Sequence, residues 1–492
     1  MQLMWGDDLS QETQGLDILG VRGLDQNLEA ALVNGITTIS IRARYLTILP
    51  WAIGEFFADE VASGATSYDA ERLQNHLARV EYLALAATVA DPASGGTSGL
   101  LGSVAFSAAM HVLRAGEPIE FPAERASAML GTYFGPCRAL GILADAPRGS
   151  PVAISITPRG RDIWLARNAA IRDAGLVKAL IRDGGQLNLG LAQSAVPWLS
   201  LNRLDRNSEE EALLRGALTE DWRTAPAAPG PYERFNQTVA MLRVCAASAP
   251  LRAESVIADK YREAVEEGAR DPTVLAWAEY EWRGRLHFAL ETMFSAICQT
   301  LSGLGEASLE DIVTDWRSRR EAPDVLAAAW SGAAAAWETT AAGARSSTPE
   351  DLFLGKEVPQ SDIVALEPHA RALFSFALAT SLAAQTASLR ADNLFCDRGS
   401  VGDAALRLVS SAGAEPFEVA LGRLAQLCVE AHLKTTYRKM ANGQNCSLRF
   451  FENGPRLAPT GLPAHAGRSN IRLRNVIGIL AEAGVEGMGR VA

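Results

Sequence analysis

Apolar residues recur at helical spacing along most of this chain, and they predict a mainly α-helical fold. Alanine-rich runs such as Leu326 to Trp337 strengthen that expectation, because alanine loses no side-chain entropy on entering a helix. Start signals point the same way. Ser208 with Glu211 has the spacing of a capping box, and Thr348-Pro349-Glu350-Asp351 sets a cap, a first-turn proline and two acids in order. The uncharged run Ala372 to Leu389 nears membrane-spanning length, but Ser375, Thr380, Ser381, Gln385, Thr386 and Ser388 interrupt it, so a buried helix is expected and no membrane partner. Pro92 to Leu113 is longer, yet it opens in a Gly- and Ser-rich loop that leaves too little apolar helix to cross a bilayer. Against this helical background, Val152 to Thr157 and Ser447 to Glu452 read as strands.

Breaks in the pattern divide the chain. Ala225-Pro-Ala-Ala-Pro-Gly-Pro231 cannot continue a helix, and Pro92 to Gly99 forms a second loop. The expected organisation is an N-terminal helical segment (1–99), a module at 100–170, a helical connector (171–225), a helical domain (226–430) and a basic C-terminal α+β segment (431–492). At 492 residues the chain exceeds one hydrophobic core, so several domains are expected, and no internal repeat of fixed period occurs.

The 100–170 module carries the most informative local order. Leu100 to Arg114, Ala123 to Met129 and Gly135 to Leu140 read as three helices; Leu143 to Asp145 and Val152 to Thr157 read as a hairpin with its tip at Ala146 to Ser150. Thr157 then caps a helix begun by Pro158. This order resembles the second half of a winged helix-turn-helix domain, embedded here in helical domains, and the resemblance implies contact with double-stranded DNA or with a partner protein. In a DNA-reading example the third helix brings Arg, Asn or Gln to base edges. Here that helix offers only Arg138, beside Gly135, Pro136 and Cys137, so base reading is not expected. Arg148 at the tip, with Arg159 and Arg161 after it, suits phosphate contact, which gives affinity without sequence specificity. A protein-binding or purely structural module is the alternative.

Charge adds a second candidate. The formal net charge of −11 would repel a polyanion, but from Ala431 onward nine Lys or Arg face three Glu, a net of +6 that leaves −17 on the rest. Lys434, Arg468, Arg472 and Arg474 are the candidate phosphate contacts in this segment. Asn470 to Ala483 is expected to form a helix whose positive end assists Arg472 and Arg474. A merely solvated basic surface is the other reading.

Near the N-terminus, Ile36-Thr-Thr-Ile-Ser-Ile-Arg-Ala-Arg-Tyr-Leu-Thr-Ile-Leu-Pro-Trp-Ala-Ile53 is similar to a segment of uncharacterised bacterial proteins encoded beside anti-phage defence genes. That resemblance implies a defence-system subunit working with other defence proteins, such as a helicase or nuclease. Arg42 and Arg44 open a helix whose other face, Tyr45, Leu46, Ile48, Leu49 and Trp51, is apolar. They suit binding of phosphate or a partner's carboxylate, or they pair with internal acids, which is the favoured of the two readings.

Catalytic signatures are lacking. His432-Leu-Lys434 begins the His-x-Lys motif of phospholipase D-like nucleases, but Lys439 stands where that motif needs Asp, and no second copy occurs. There is no phosphate loop, dinucleotide fingerprint or nucleophile elbow. The six histidines, His76, His111, His287, His369, His432 and His465, are scattered, which argues against a metal site. Glu279, Glu281 and Glu291 near His287 on one helix read as a buried ion-pair network. The six cysteines are far apart, as expected for reduced core thiols, and the first residues lack a secretory pattern, so a cytoplasmic location is expected. The expectation is a non-catalytic, DNA-associated adaptor without cofactor or metal. Its alternatives are a winged-helix transcriptional regulator and a nuclease-like enzyme with an unrecognised site.

Overall fold

Two helices are buried on every side, and each becomes the centre of its own unit. The computed structural model describes residues 17–64, 69–93, 100–121, 127–171, 174–219, 231–319, 363–389, 399–411, 416–444 and 446–488. Among them are seventeen helices and three two-stranded antiparallel sheets, so the fold is mainly α. No helix among the described residues is long and apolar enough to cross a membrane.

The first unit comprises Met1–Leu28 and Ile257–Ser469, and the second Glu29–Val256 and Asn470–Ala492. This partition differs from the five-segment expectation. The 100–170 module lies whole within the second unit, whereas the 1–99, 226–430 and 431–492 segments are each split. Burial, which follows contacts in space, does not respect chain order.

In chain order the helices are α1 (Gly23–Leu32), α2 (Tyr45–Ala62), α3 (Ala70–Ala90), α4 (Ser103–Arg114), α5 (Ala128–Ala139), α6 (Pro158–Ala170), α7 (Gly175–Asp183), α8 (Leu189–Leu199), α9 (Glu209–Thr219), α10 (Pro231–Ala246) and α11 (Ala253–Val265). They continue with α12 (Pro272–Leu304), α13 (Leu309–Ser318), α14 (Pro368–Leu389), α15 (Val401–Ser411), α16 (Phe417–Ala441) and α17 (Leu473–Glu482). The strands are β1 (Ile119–Glu120), β2 (Leu143–Asp145), β3 (Ile154–Ile156), β4 (Gln186–Leu187), β5 (Phe450–Asn453) and β6 (Arg456–Pro459).

In the second unit α2 is buried at each position from Tyr45 to Gly54, and α3, α5, α6 and α9 pack around it. Pro50 lies inside α2 and lacks the N–H that would bond to the Leu46 carbonyl. That carbonyl instead faces Cys137 Sγ of α5 at 3.9 Å. In the first unit α12 is buried from Val274 to Gly284 and again from Leu286 to Cys298, with Asp271 capping its start and Pro272 in its first turn. Helices α13, α14 and α16 and strand β6 pack on it, and its core includes Trp282, Phe294, Phe376 and Phe450. The apolar run Ala372 to Leu389 forms most of α14, a largely buried helix of this core.

The hairpin forms where expected, with Leu143 opposite Ile156 and Asp145 opposite Ile154. Thr157 accepts from the Gly160 N–H at 3.1 Å and Pro158 opens α6. Gly160 lies so close beneath the Ile142 carbonyl that no Cβ fits, which holds α6 against the hairpin. The two helices expected before the hairpin need correction. Ala128–Ala139 is one continuous helix, capped by Ser127, because Gly131 and Gly135 both keep helical conformation, so Gly135 to Leu140 is no separate third helix. Most of Ala123 to Met129 lies outside the described residues. Strand β1 pairs with β4, not with the hairpin.

Other expectations shift in detail. Glu211 N–H donates to Ser208 Oγ at 3.1 Å, but the Glu211 carboxylate accepts from the Asn207 N–H instead of closing the box on Ser208. A reciprocal box does form at Ser308 and Asp311. Strand β5 starts at Phe450 and α17 covers Leu473–Glu482 of the expected Asn470 to Ala483. Leu326 to Trp337, Thr348 to Asp351, most of the Ala225 to Pro231 linker and Cys396 lie outside the described residues; Cys137, Cys298, Cys428 and Cys446 are free thiols.

Close packing between α2 and α6 yields a stability prediction. A Cβ at Gly54 would stand 2.5 Å from the Trp164 ring, while one at Gly131 on α5 meets nothing within 4 Å. Thermal unfolding should therefore show Gly54→Ala destabilised by about 1–3 kcal/mol through overpacking, and Gly131→Ala stabilised by up to about 1 kcal/mol through helix propensity.

Candidate functional site

The end of α5, the hairpin and the first turn of α6 carry four arginines. Arg148 at the tip and Arg161 on α6 are exposed and make no ion pair among the described residues. Arg138, on the last turn of α5, is exposed and pairs with Asp145 at 2.9 Å; both partners are open to solvent, so the pair is worth little. Arg159 is half-buried and donates from Nη1 to the Leu140 carbonyl at 3.1 Å. The Thr157 cap fixes where α6 begins, and thereby aims Arg159 and Arg161 one turn beyond the strand.

The basic C-terminal segment meets a different fate. Arg468 belongs to the first unit, and Arg472 and Arg474 to the second. Each meets an acid of its own unit: Arg468 contacts Glu281, Arg472 Nε lies 3.6 Å from Glu29, and Arg474 contacts Glu254. The Arg472 backbone N–H also donates to Glu29 Oε1 at 2.5 Å. A protein carboxylate therefore occupies the helix start that was expected to assist phosphate binding. Lys434, on α16, is exposed and makes no ion pair among the described residues.

Arg42 and Arg44 are engaged inside the second unit. Arg42 Nη1 donates to Glu482 at 2.7 Å, and the same carboxylate accepts from the Ala43 N–H. Burial raises the Glu482 carboxyl even so. Arg44 is buried, donates to the carbonyls of Ser200 and Pro197 at 2.7 Å each, and lies 3.5 Å from Glu210.

Glu210 also meets Arg167, a guanidinium 1% exposed that no local pattern marked. Burial alone would raise the Glu210 carboxyl, but Arg167 and Arg44 hold it below its ordinary range. Burial pulls Arg167 down to about 10. Its partner lies 43 residues on, beyond any local spacing that could have indicated the pair.

In the first unit, the acids flagged on α12 form the expected kind of network. Arg283 pairs with Glu279 at 2.7 Å and Arg285 with Glu281 at 2.9 Å. Burial opposes ionisation of Glu281, but Arg468 and Arg285 draw it down to about 2. His287 is fully buried, with Nε2 3.1 Å from Glu291 and Nδ1 3.5 Å from Asp25, a partner the sequence did not indicate. Glu291 in turn accepts from the Gly467 N–H at 3.0 Å. Burial disfavours the imidazolium, but hydrogen bonding to Asp25 and Glu291 overrides it and pushes the ring up to about 9. His432, by contrast, is held down to about 4 by burial; its Nε2 accepts from the Arg449 N–H, so the histidine of the abortive His-x-Lys motif is packed into the core while Lys434 stays exposed. Among the described residues no group of three or more His, Cys, Asp or Glu is arranged to hold a metal ion.

The His287 cluster predicts a pH dependence. Its folded pKa lies above the ordinary 6.5, so its stabilisation is complete below about pH 6.5 and is lost as pH rises through about 9. Urea unfolding across that window should show wild type losing about 3 kcal/mol, whereas His287→Gln, less stable at neutral pH, should show no such decline. Comparison with protein-family models, curated proteins and solved structures finds no match to this chain.

Proposed function

We propose that this protein is a non-catalytic adaptor that binds double-stranded DNA through its phosphates, using the hairpin and the start of α6, while a partner such as a helicase or nuclease supplies chemistry. The observation that carries this reading is the exposure of Arg148 and Arg161 on a hairpin and the helix that follows it. Exposed guanidiniums without internal acids are free to displace counterions from a polyanion, whereas Arg42, Arg44, Arg468, Arg472 and Arg474 already face carboxylates. The helix, hairpin and Pro-started helix support a winged-helix-like module. The pairing of β1 with β4 instead of the hairpin sets it apart from the usual three-stranded wing.

One exposed arginine on α5 favours phosphate contact over base reading, and so an adaptor over an operator-binding regulator. The Ile36 to Ile53 resemblance supports placing the adaptor in a bacterial anti-phage defence complex in the cytoplasm.

Fluorescence anisotropy of two unrelated labelled duplexes at several salt concentrations tests this. Wild type should bind both alike, and Arg148→Glu with Arg161→Glu should weaken binding and lower the salt slope by about 2, near 0.9 per lost contact. Arg474→Glu should change little. A folded wild type that does not bind at low salt overturns the nucleic-acid reading, and an unchanged slope in the double variant removes the hairpin from it.

A further inference from the structure

From Ala128 to Arg161 the chain carries four arginines and one acid, Asp145, so that acid is the one charge in this stretch that opposes a polyanion. Asp145 ends β2 opposite Ile154, and its side chain is 64% exposed. Among the described residues its carboxylate meets a single partner, Arg138 Nη1 at 2.9 Å. The Arg138 side chain is itself 56% exposed and meets no other acceptor among those residues, so only one of its three nitrogens is engaged. Its guanidinium carbon lies 5.8 Å from the centre of the Phe134 ring, one turn back on α5. The start of α6 is stitched to the end of α5: Thr157 Oγ1 donates to the Gly141 carbonyl at 2.7 Å, and Arg159 Nη1 to the Leu140 carbonyl at 3.1 Å. Arg138 therefore stands on one framework with Arg159 and Arg161.

An exposed pair costs little to part, because water and salt already screen it. That separates Arg138 from Arg468, whose partner Glu281 is buried. A phosphate can also engage a guanidinium through two oxygens at once, whereas Asp145 reaches Nη1 alone. We propose that Asp145 takes the place of a DNA phosphate on Arg138 in the free protein and yields it to the duplex on binding. The acid keeps one guanidinium neutralised until a polyanion engages the neighbouring arginines, and it lowers the affinity of the surface by the free energy of the pair. This inference rests on the nucleic-acid reading above and adds to it the residue that tempers binding.

Anisotropy titrations of one labelled duplex at several salt concentrations, with a double-mutant cycle on the pair, test it. Both side chains are exposed, so the variants keep the fold. Asp145→Asn should tighten binding about two- to fivefold, and Arg138→Gln should weaken binding and lower the salt slope by about 0.9. With Arg138→Gln already present, Asp145→Asn should gain clearly less, because the pair it releases is gone. An equal gain in both backgrounds means that Asp145 only repels the duplex, and looser or unchanged binding in Asp145→Asn means that it positions Arg138 or has no part in binding; each overturns the proposal. An unchanged slope in Arg138→Gln overturns it as well. A folded wild type that binds no duplex at low salt overturns this inference and the nucleic-acid reading together, whereas binding that needs Arg148 and Arg161 but ignores Arg138 and Asp145 overturns this inference alone.

Discussion

A guanidinium or imidazolium taken out of water must find acceptors, and this constraint organises the interior of both helical units. Desolvating an ion costs several kcal/mol, a debt that only close, well-directed hydrogen bonds and counter-charges offset. Arg167 and Arg44 are tolerable within the second unit because Glu210 stands between them and because the carbonyls of Pro197, Trp198 and Ser200 accept from their terminal nitrogens. Those carbonyls come from the end of α8, where the last turn has no partners of its own and Pro197 restricts the backbone. Helix termination and charge burial thus satisfy each other. The same logic runs along α12, where spacing of four residues brings Arg283 to Glu279, Arg285 to Glu281 and His287 to Glu291.

This demand also decides which cations are left for a polyanion. A positive charge count along the C-terminal segment suggests a basic face, but Glu281, Glu29 and Glu254 meet its arginines from segments far away in sequence. Glu29 does more than neutralise Arg472, because it also accepts backbone N–H groups at the start of α17. The hairpin differs because its tip is too small to fold back on an acid. Arg148 projects from a turn bounded by Pro147 and Gly149, and Arg161 from the outer face of a helix whose inner face holds Gly160 and Ile163.

Local signals were legible where the cause was local. Thr157 with Pro158 and the alternation through Val152 to Thr157 mark elements by cap chemistry, fixed φ and strand period, all properties of adjacent residues. The helix break expected between Met129 and Gly135 failed because glycine is a weak signal: it lowers helix propensity but does not forbid helix, and burial of Met129, Thr132 and Tyr133 outweighs that cost. The hairpin arginines could be placed from sequence, whereas Asp25, Arg167 and Glu210 could not. Their roles depend on partners that no periodicity encodes.

The sequence by itself determined the helical class, the hairpin with its capped following helix, and the acidic and basic spacing along α12, because each follows from interactions within a few residues. Only the tertiary structure decided that Asp25 completes the His287 pair and that Glu29 fills the start of α17. Those outcomes require segments hundreds of residues apart to meet, and the electrostatic cost of burying a charge is set by what surrounds it in space.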